Sequence, residues 1–326
     1  MTTADTTVDS VADAELTTQH CLEPVDHVAG DAQTTAFKRR ARLQQAHWRG
    51  DRPIGHQPIR PCPGERRELG SRLQVDYAFS SKANFLSDNI RQAVRDRLDN
   101  PQRHQTLNTD RLHCDLLSSM PMCFNLFGEL WADLALADRA VHAWWLDVPG
   151  RVSAVRFEWS PGRCVPGKYL ENRSAFDVAF ELELPGGQRG VLGVETKYHE
   201  HCKAEAVPRP HRLARYELVA EKVNIMSTET MQRRVLGTDL QQIWLDHLLA
   251  LSMKQPLGEW KYVRFVLVHP ERNPSYAKAA ERYASLLTDA STFGVCTIES
   301  LLRKKVLPEP TATAFEQRYL WQDFLT

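Results

Sequence analysis

Between Arg151 and Tyr198 hydrophobic and polar positions alternate along the chain. In "RVSAVRFEW", Val155, Phe157 and Trp159 fall on one face, and Arg156 and Glu158 on the other. In "FDVAFELEL", Phe176, Val178, Phe180, Leu182 and Leu184 share a face opposite Asp177, Glu181 and Glu183. "PGGQRG" supplies a turn. The returning strand sets Leu192, Val194, Thr196 and Tyr198 against Gly193, Glu195 and Lys197. The pattern predicts a three-strand meander. On either side the period changes to that of a helix. "KANFLSDNIRQAVRDRLDN" repeats Phe85, Leu86, Ile90, Val94 and Leu98, and "MPMCFNLFGELWADLALADRAVHAWW" predicts a second helical region. Beyond the meander, "TDLQQIWLDHLLALS" carries an apolar stripe of Leu240, Ile243, Trp244, Leu248 and Leu251, with Thr238 and Gln241 spaced as a capping box. "YVRFVLVHP" reads as a buried strand, "ERNPSYAKAAERYASLLT" as a helix, and "FGVCTIESLLRKK" as a strand turning into a helix. A terminal helix follows in "TATAFEQRYLWQDF", where Thr313 and Glu316 fit another capping box. This order predicts an α/β fold, a central mixed β-sheet flanked by helices.

Composition changes that picture mainly at the N-terminus. The 326 residues are 42% hydrophobic and 25% charged, as in a water-soluble globular protein. No apolar run reaches the ~20 residues of a membrane helix, so no membrane partner is expected. "MTTADTTVDSVADAELTTQH" lacks the basic and apolar regions of a signal peptide, which makes the cytoplasm the default location. Lys plus Arg and Asp plus Glu balance at 41 each, yet residues 1–37 hold seven acids and no Lys or Arg, leaving +7 on residues 38–326. Residues 1–37 read as an acidic disordered tail, either solubilising or screening a basic groove. Residues 38–79 read as a basic, Pro-rich arm, extended after Gly50, that either follows a phosphate backbone or is simply solvated. Residues 80–326 form the expected compact domain. A basic body suits a polyanionic partner.

Seven scattered cysteines without a CxxC pair argue against a disulfide framework and a zinc ribbon. "HEHC" at 199–202 has no second ligand pair with zinc-like spacing.

The sharper chemistry lies in the hairpin. Asp177 and Glu195 converge if the register allows, because antiparallel neighbours lie about 5 Å apart. Two carboxylates completed by carbonyl and water oxygens suit a hard cation such as Mg²⁺. Lys197 projects from the same face as Glu195, where an ammonium orients or deprotonates a water and stabilises developing charge. The plain alternative is a solvated strand face. Apolar residues on both sides of Glu195 point instead to a central strand, where buried charges must be paired or coordinate something.

"SAFDVAFELE…GVLGVETKYHE" resembles the core of the PD-(D/E)XK nuclease superfamily, with its restriction-endonuclease-like fold. Asp177 matches the first acid, and Glu195-Thr196-Lys197 matches (D/E)XK. "SSMPMCFNLFGEL", "FEWSPGR", "GTDLQQIWLDHLLA" and "FEQRYL" extend the similarity over roughly residues 118–320, toward a bacterial family described as restriction endonucleases. Phe176 stands where the superfamily pattern has proline. The resemblance implies that Asp177, Glu195 and the Thr196 carbonyl bind Mg²⁺, or Mn²⁺ in its place. Lys197 would act on the attacking water, giving a 5′-phosphate and a 3′-hydroxyl. Many members add an upstream acid, for which Glu158 is the first candidate and Glu129 the second. Gln241 either contacts a phosphate or serves as the helix cap. DNA is the implied partner, with RNA the alternative, and a homodimer is the fold-level expectation. The activities open to such a chain are restriction or defence, another nuclease task in repair, mobile-element or RNA processing, and non-catalytic nucleic-acid binding.

Overall fold

A computed structural model describes residues 36–50, 59–62, 65–68 and 71–320, except 104, 106, 166 and 255–258. Of the acidic tail expected over 1–37, residues 1–35 lie outside the described residues.

The arm expected over 38–79, extended after Gly50, begins with a helix. Ala36–Gly50 is a helix, α1, and its Phe37 and Ala41 belong to the main core. The basic residues hide an apolar stripe of Phe37, Ala41, Ala46 and Trp48, all buried. Gln44 and Gln45 donate to the Gln317 and Arg318 carbonyls at 2.6 and 2.8 Å. Arg318 is itself fully buried. Its Nε donates to Gln45 Oε1 (3.1 Å), Nη1 to the Asn84 carbonyl (2.7 Å) and Nη2 to Asn84 Oδ1, and its guanidinium lies over the Trp48 ring. A buried charge whose three nitrogens each donate a hydrogen bond ties α1 to the C-terminal end of the fold.

A two-strand ribbon follows, β1 (Ile59–Cys62) with β2 (Glu65–Glu68). Five helices come next: α2 (Val75–Ser81), α3 (Asp88–Asp99), α4 (Thr109–Cys114), α5 (Ser119–Ala132) and α6 (Leu134–Trp144). The predicted first helix starts later than its apolar period, because Ser87 caps it by accepting from Ile90 N. The second predicted region is two helices. Asp133 leaves the helical conformation (φ −135°) and caps α6 by accepting from Ala135 N and Leu136 N.

The sheet comprises β3 (Arg151–Trp159), β4 (Phe176–Leu184), β5 (Gln188–Thr196), β6 (Trp260–His269) and β7 (Phe293–Thr297), in that spatial order. The first three strands are antiparallel; β6 and β7 join in parallel. Helices α7 (Pro210–Val223) and α8 (Gln241–Met253) lie between β5 and β6, and α9 (Pro274–Ala284) lies between β6 and β7. Short α10 (Ile298–Leu302) and α11 (Glu309–Tyr319) close the fold. Helix α11 begins four residues before Thr313, behind Pro308, so the capping box expected at Thr313 and Glu316 lies inside the helix.

Two cores sandwich the sheet. On one face Val178, Phe180, Leu192 and Val194 pack with Phe124, Phe127 and Trp144 of α5 and α6. On the other, Ala179, Val191 and Phe265 pack with Tyr216, Trp244 and Tyr283 of α7–α9. Strands β4 and β5 are therefore buried on both faces, and each large side chain so buried contributes roughly 1.5–3 kcal/mol. Gly186 and Gly187 (φ 76° and 71°) allow the tight turn between them. Phe176 departs from the expected alternation and joins the second core, with Ala179. Gly193 makes room for it: a Cβ there would lie 2.5 Å from the Phe176 ring.

Candidate active site

The β4–β5 register pairs Val178 with Val194. Just beyond that pair, Asp177 and Glu195 line the same cavity. Thr196 N and Oγ1 both donate to Asp177 Oδ2, at 2.8 and 2.7 Å. Just past the strand, Lys197 N continues the ladder to the Val268 carbonyl (2.8 Å), which fixes the residue at the sheet's end. Its Nζ donates to Glu195 Oε1 at 2.6 Å and lies 5.8 Å from the centre of the Tyr276 ring. Asn273, the cap of α9, donates to the Tyr198 and Glu200 carbonyls (3.0 and 2.8 Å) and holds the strand exit in place.

Glu158 approaches from β3. Its backbone is left-handed (φ 48°), a conformation that costs a non-glycine residue about 1 kcal/mol or more. Buried Arg97 braces it, Nε on the Phe157 carbonyl (2.8 Å) and Nη2 on the Glu158 carbonyl (3.3 Å), and Gln105 Nε2 reaches the same Glu158 oxygen (3.3 Å). Glu158, Asp177, Glu195 and Lys197 line one cavity of about 400 Å³. Its rim carries Lys38, Arg111, His199, His201 and Lys203.

Burial dominates the electrostatics of the cavity. It pushes Glu158 up to about 7, with Asp177 adding to the rise and Arg97 opposing it. Burial raises Asp177 as well, against Lys197. Glu195 rises well above the carboxylate range through burial and then through Asp177. For Lys197 burial acts downward, but Glu195, Tyr276, Asp246 and Glu200 outweigh it and hold the ammonium protonated. Asp246 of α8, half-buried, is pushed up to about 7 by burial and by Asp177, against Lys197. Asp177, Glu195, Glu200 and Asp246 thus act on the one ammonium of Lys197, while Glu158 faces Arg97, Arg163 and Arg111.

Several other residues are spent elsewhere. Gln241 is buried away from this cavity. It accepts from Gly237 N (2.9 Å) and donates to the Ala206 carbonyl (2.9 Å), bracing the loop before α8 rather than receiving an N–H from Thr238 as a capping box would. Gln242 lines the cavity instead. Glu129 is clamped by Asn89 Nδ2 and Thr311 Oγ1, both at 2.8 Å, in the helical layer. Glu181 pairs with Arg156 and Arg189, and Glu183 with Arg151. Glu200 is half-buried at the cavity and accepts from Ser119 Oγ (2.9 Å) and Tyr198 N (2.8 Å). Asp246 was not anticipated; Gln242 and Asp246 stand one turn apart on the polar side of α8, and that spacing was the available signal.

Among the described residues no three His, Cys, Asp or Glu side chains converge closely enough to hold a metal ion, "HEHC" included. Nor is any helix among them long and apolar enough to cross a membrane. The donor set nonetheless fits a hard cation at the hairpin. Asp177 and Glu195 each commit one oxygen to the protein and leave the other without a hydrogen bond among the described residues. Asp177 on one strand and Glu195 on the next, with Lys197 two residues on, are the residues that match the PD-(D/E)XK pattern.

The comparison with known families agrees. A family model described as the PD-(D/E)XK nuclease superfamily matches residues 31–321, and the chain belongs to that superfamily. The match begins before α1, consistent with the packing of that helix into the core. No curated protein and no solved structure matches the chain.

Proposed function

We propose that the protein is a Mg²⁺-dependent endonuclease that hydrolyses DNA phosphodiester bonds, in a restriction or defence role. The observation that carries this reading is the convergence of Asp177, Glu195 and Lys197 on one cavity, with Lys197 Nζ 2.6 Å from Glu195 Oε1. In this reading Asp177, Glu195 and the Thr196 carbonyl hold the cation, with Glu158 as a further acid. When bound, Mg²⁺ or Mn²⁺ supplies Lewis-acid polarisation of the phosphate and a lowered pKa for water. The chain's own residues do the rest. Lys197, protonated against its burial, orients the water and stabilises the charge that develops on phosphate oxygen, rather than serving as the base. Glu158, pushed up to about 7 by burial, would have to give up its proton to serve as a ligand. Water attacks phosphorus and gives up a proton to solvent, the bond to the 3′-oxygen breaks, and that oxygen takes a proton from solvent, leaving a 3′-hydroxyl and a 5′-phosphate. The rim of Lys38, Arg111 and Lys203 suits a polyanion.

The test is cleavage of plasmid, linear, single-stranded and modified DNA, and of RNA, with Mg²⁺, Mn²⁺ or EDTA. Metal-dependent cutting of DNA supports the proposal. Cutting of RNA alone moves the substrate, and binding without cutting under every metal condition overturns the enzymatic reading.

A further inference from the structure

The "HEHC" stretch, left aside by the metal reading, puts two histidines, His199 and His201, on the wall of the site cavity. The ring of His199 is fixed. Its Nδ1 lies 2.7 Å from the Leu117 carbonyl and 3.9 Å from Glu200 Oε2. Both neighbours are acceptors, so Nδ1 carries a hydrogen. The proton that this imidazole gains and loses is therefore the one on Nε2. Nε2 sits on the other edge of the ring. It has no hydrogen-bond partner among the described residues, and it is not a buried atom, so it opens on the cavity that His199 lines.

The backbone around His199 is held as firmly as the ring. Asn273 Nδ2 donates to the carbonyls on both sides of it, those of Tyr198 and Glu200, at 3.0 and 2.8 Å. Tyr198 N donates to Glu200 Oε2 (2.8 Å), and the Tyr198 side chain is fully buried. Ser119 Oγ donates to Glu200 Oε1 (2.9 Å), which docks the same turn on the start of α5. Lys197, two residues earlier, is fixed by its own N–H on the Val268 carbonyl (2.8 Å). Two residues of chain span at most about 7 Å, so Lys197 and His199 enter one cavity from neighbouring positions. Their tasks differ. Lys197 Nζ is bonded to Glu195 Oε1 (2.6 Å), on the side of the carboxylates and the attacking water. The departing 3′-oxygen also needs a proton, and Nε2 of His199 is a rigidly placed nitrogen of the cavity with no other task.

We propose that His199 is the general acid of the reaction, the residue through which a solvent proton reaches the 3′-oxygen. The proposal rests on the nuclease reading and adds a catalytic residue to it. As the bond from phosphorus to the 3′-oxygen breaks, its electron pair passes to that oxygen, which takes the Nε2 proton of the imidazolium. The neutral imidazole keeps its Nδ1 hydrogen on the Leu117 carbonyl and takes a proton back from solvent. The experiment is single-turnover cleavage by the full chain with Mg²⁺, on two DNA duplexes. One is natural; the other has sulfur in place of the 3′-oxygen at a bond the wild type cuts. A thiol has a pKa of about 8.5, so the sulfur leaves as thiolate without an acid. His199→Asn keeps an amide N–H where Nδ1 stands, and with it the bond to Leu117, but lacks Nε2. It is expected to lose about 10²-fold or more on natural DNA and less than about tenfold on the sulfur duplex. His199→Gln has no proton to transfer either and is expected to show the same split. Comparing two substrates on one protein makes the split independent of how much of that protein is folded. A wild-type rate on natural DNA in His199→Asn overturns the proposal. So does an equal loss on both duplexes, the result for a residue that only supports its neighbours or acts on the water. In both cases the wild type still cuts, and the His199 assignment alone fails. If the wild type cuts neither duplex, the nuclease reading fails with it.

Discussion

Replacing Glu158 by Gln in metal-free buffer removes one ionisable group from the cavity and keeps its shape. Burial holds that carboxyl at about 7 in the folded protein, against 4.5 for the free side chain. A raised pKa means the folded state binds the proton more tightly than the unfolded state. Its contribution to stability is therefore complete below about pH 4.5 and is lost as pH rises through about 7. At roughly 1.4 kcal/mol per pKa unit, the ionised Glu158 costs the wild type about 3 kcal/mol at pH 8. The wild-type profile alone does not report this. Burial holds His113 down at about 4 and His247 at about 3, and their contributions run the other way, lost as pH falls below 6.5. Both proteins share those histidines, so the difference between them isolates Glu158. Urea unfolding from pH 4.5 to 8 in EDTA should show Glu158→Gln equal to the wild type at the acid end and more stable by up to about 3 kcal/mol at pH 8. Adding Mg²⁺ at pH 8, at about a hundred times its wild-type Kd, should stabilise the wild type by about 2.7 kcal/mol and the variant by less. A difference that is flat with pH, or that grows toward acid, refutes the electrostatic account of the cavity.

Three other outcomes test the scaffold. Gly193→Ala places a Cβ 2.5 Å from the Phe176 ring and should cost about 1–3 kcal/mol in chemical denaturation. Arg318→Ala strips partners from Gln45 and Asn84 and should destabilise by about 3 kcal/mol or more, with α1 becoming the first site of limited proteolysis. Gln242→Ala should weaken cleavage without lowering the melting temperature, whereas Gln241→Ala, which frees Gly237 N and the Ala206 carbonyl, should lower the melting temperature by the equivalent of about 1–2 kcal/mol.

The hairpin was legible because β4 and β5 bury alternate apolar side chains, so strand phase alone put Asp177, Glu195 and Lys197 on one side. Their meeting required the register, which the Gly186–Gly187 turn sets and the residue types do not reveal. Phe176 was misplaced because its face depends on a gap at Gly193 in the neighbouring strand. Helix α1 read as part of an arm that either follows a phosphate backbone or is solvated, because arginines and glutamines dominate its composition; their burial becomes apparent only once Arg318 lies against Trp48 and Gln45. On α8 the apolar stripe was correct, yet the capping-box spacing drew attention to Gln241, and the turn-apart pair Gln242 and Asp246 went unread. Nothing in the local sequence around Glu158 signals a left-handed backbone, because Arg97, sixty-one residues earlier in the chain, enforces it.

The most direct test of the central claim compares wild-type, Asp177→Ala and Lys197→Ala proteins on plasmid DNA with Mg²⁺, after circular dichroism shows all three folded. The account predicts cleavage by the wild type, no measurable cleavage by Asp177→Ala, and a loss of at least about 10²-fold for Lys197→Ala. A folded Lys197→Ala protein that cuts as fast as the wild type would contradict it.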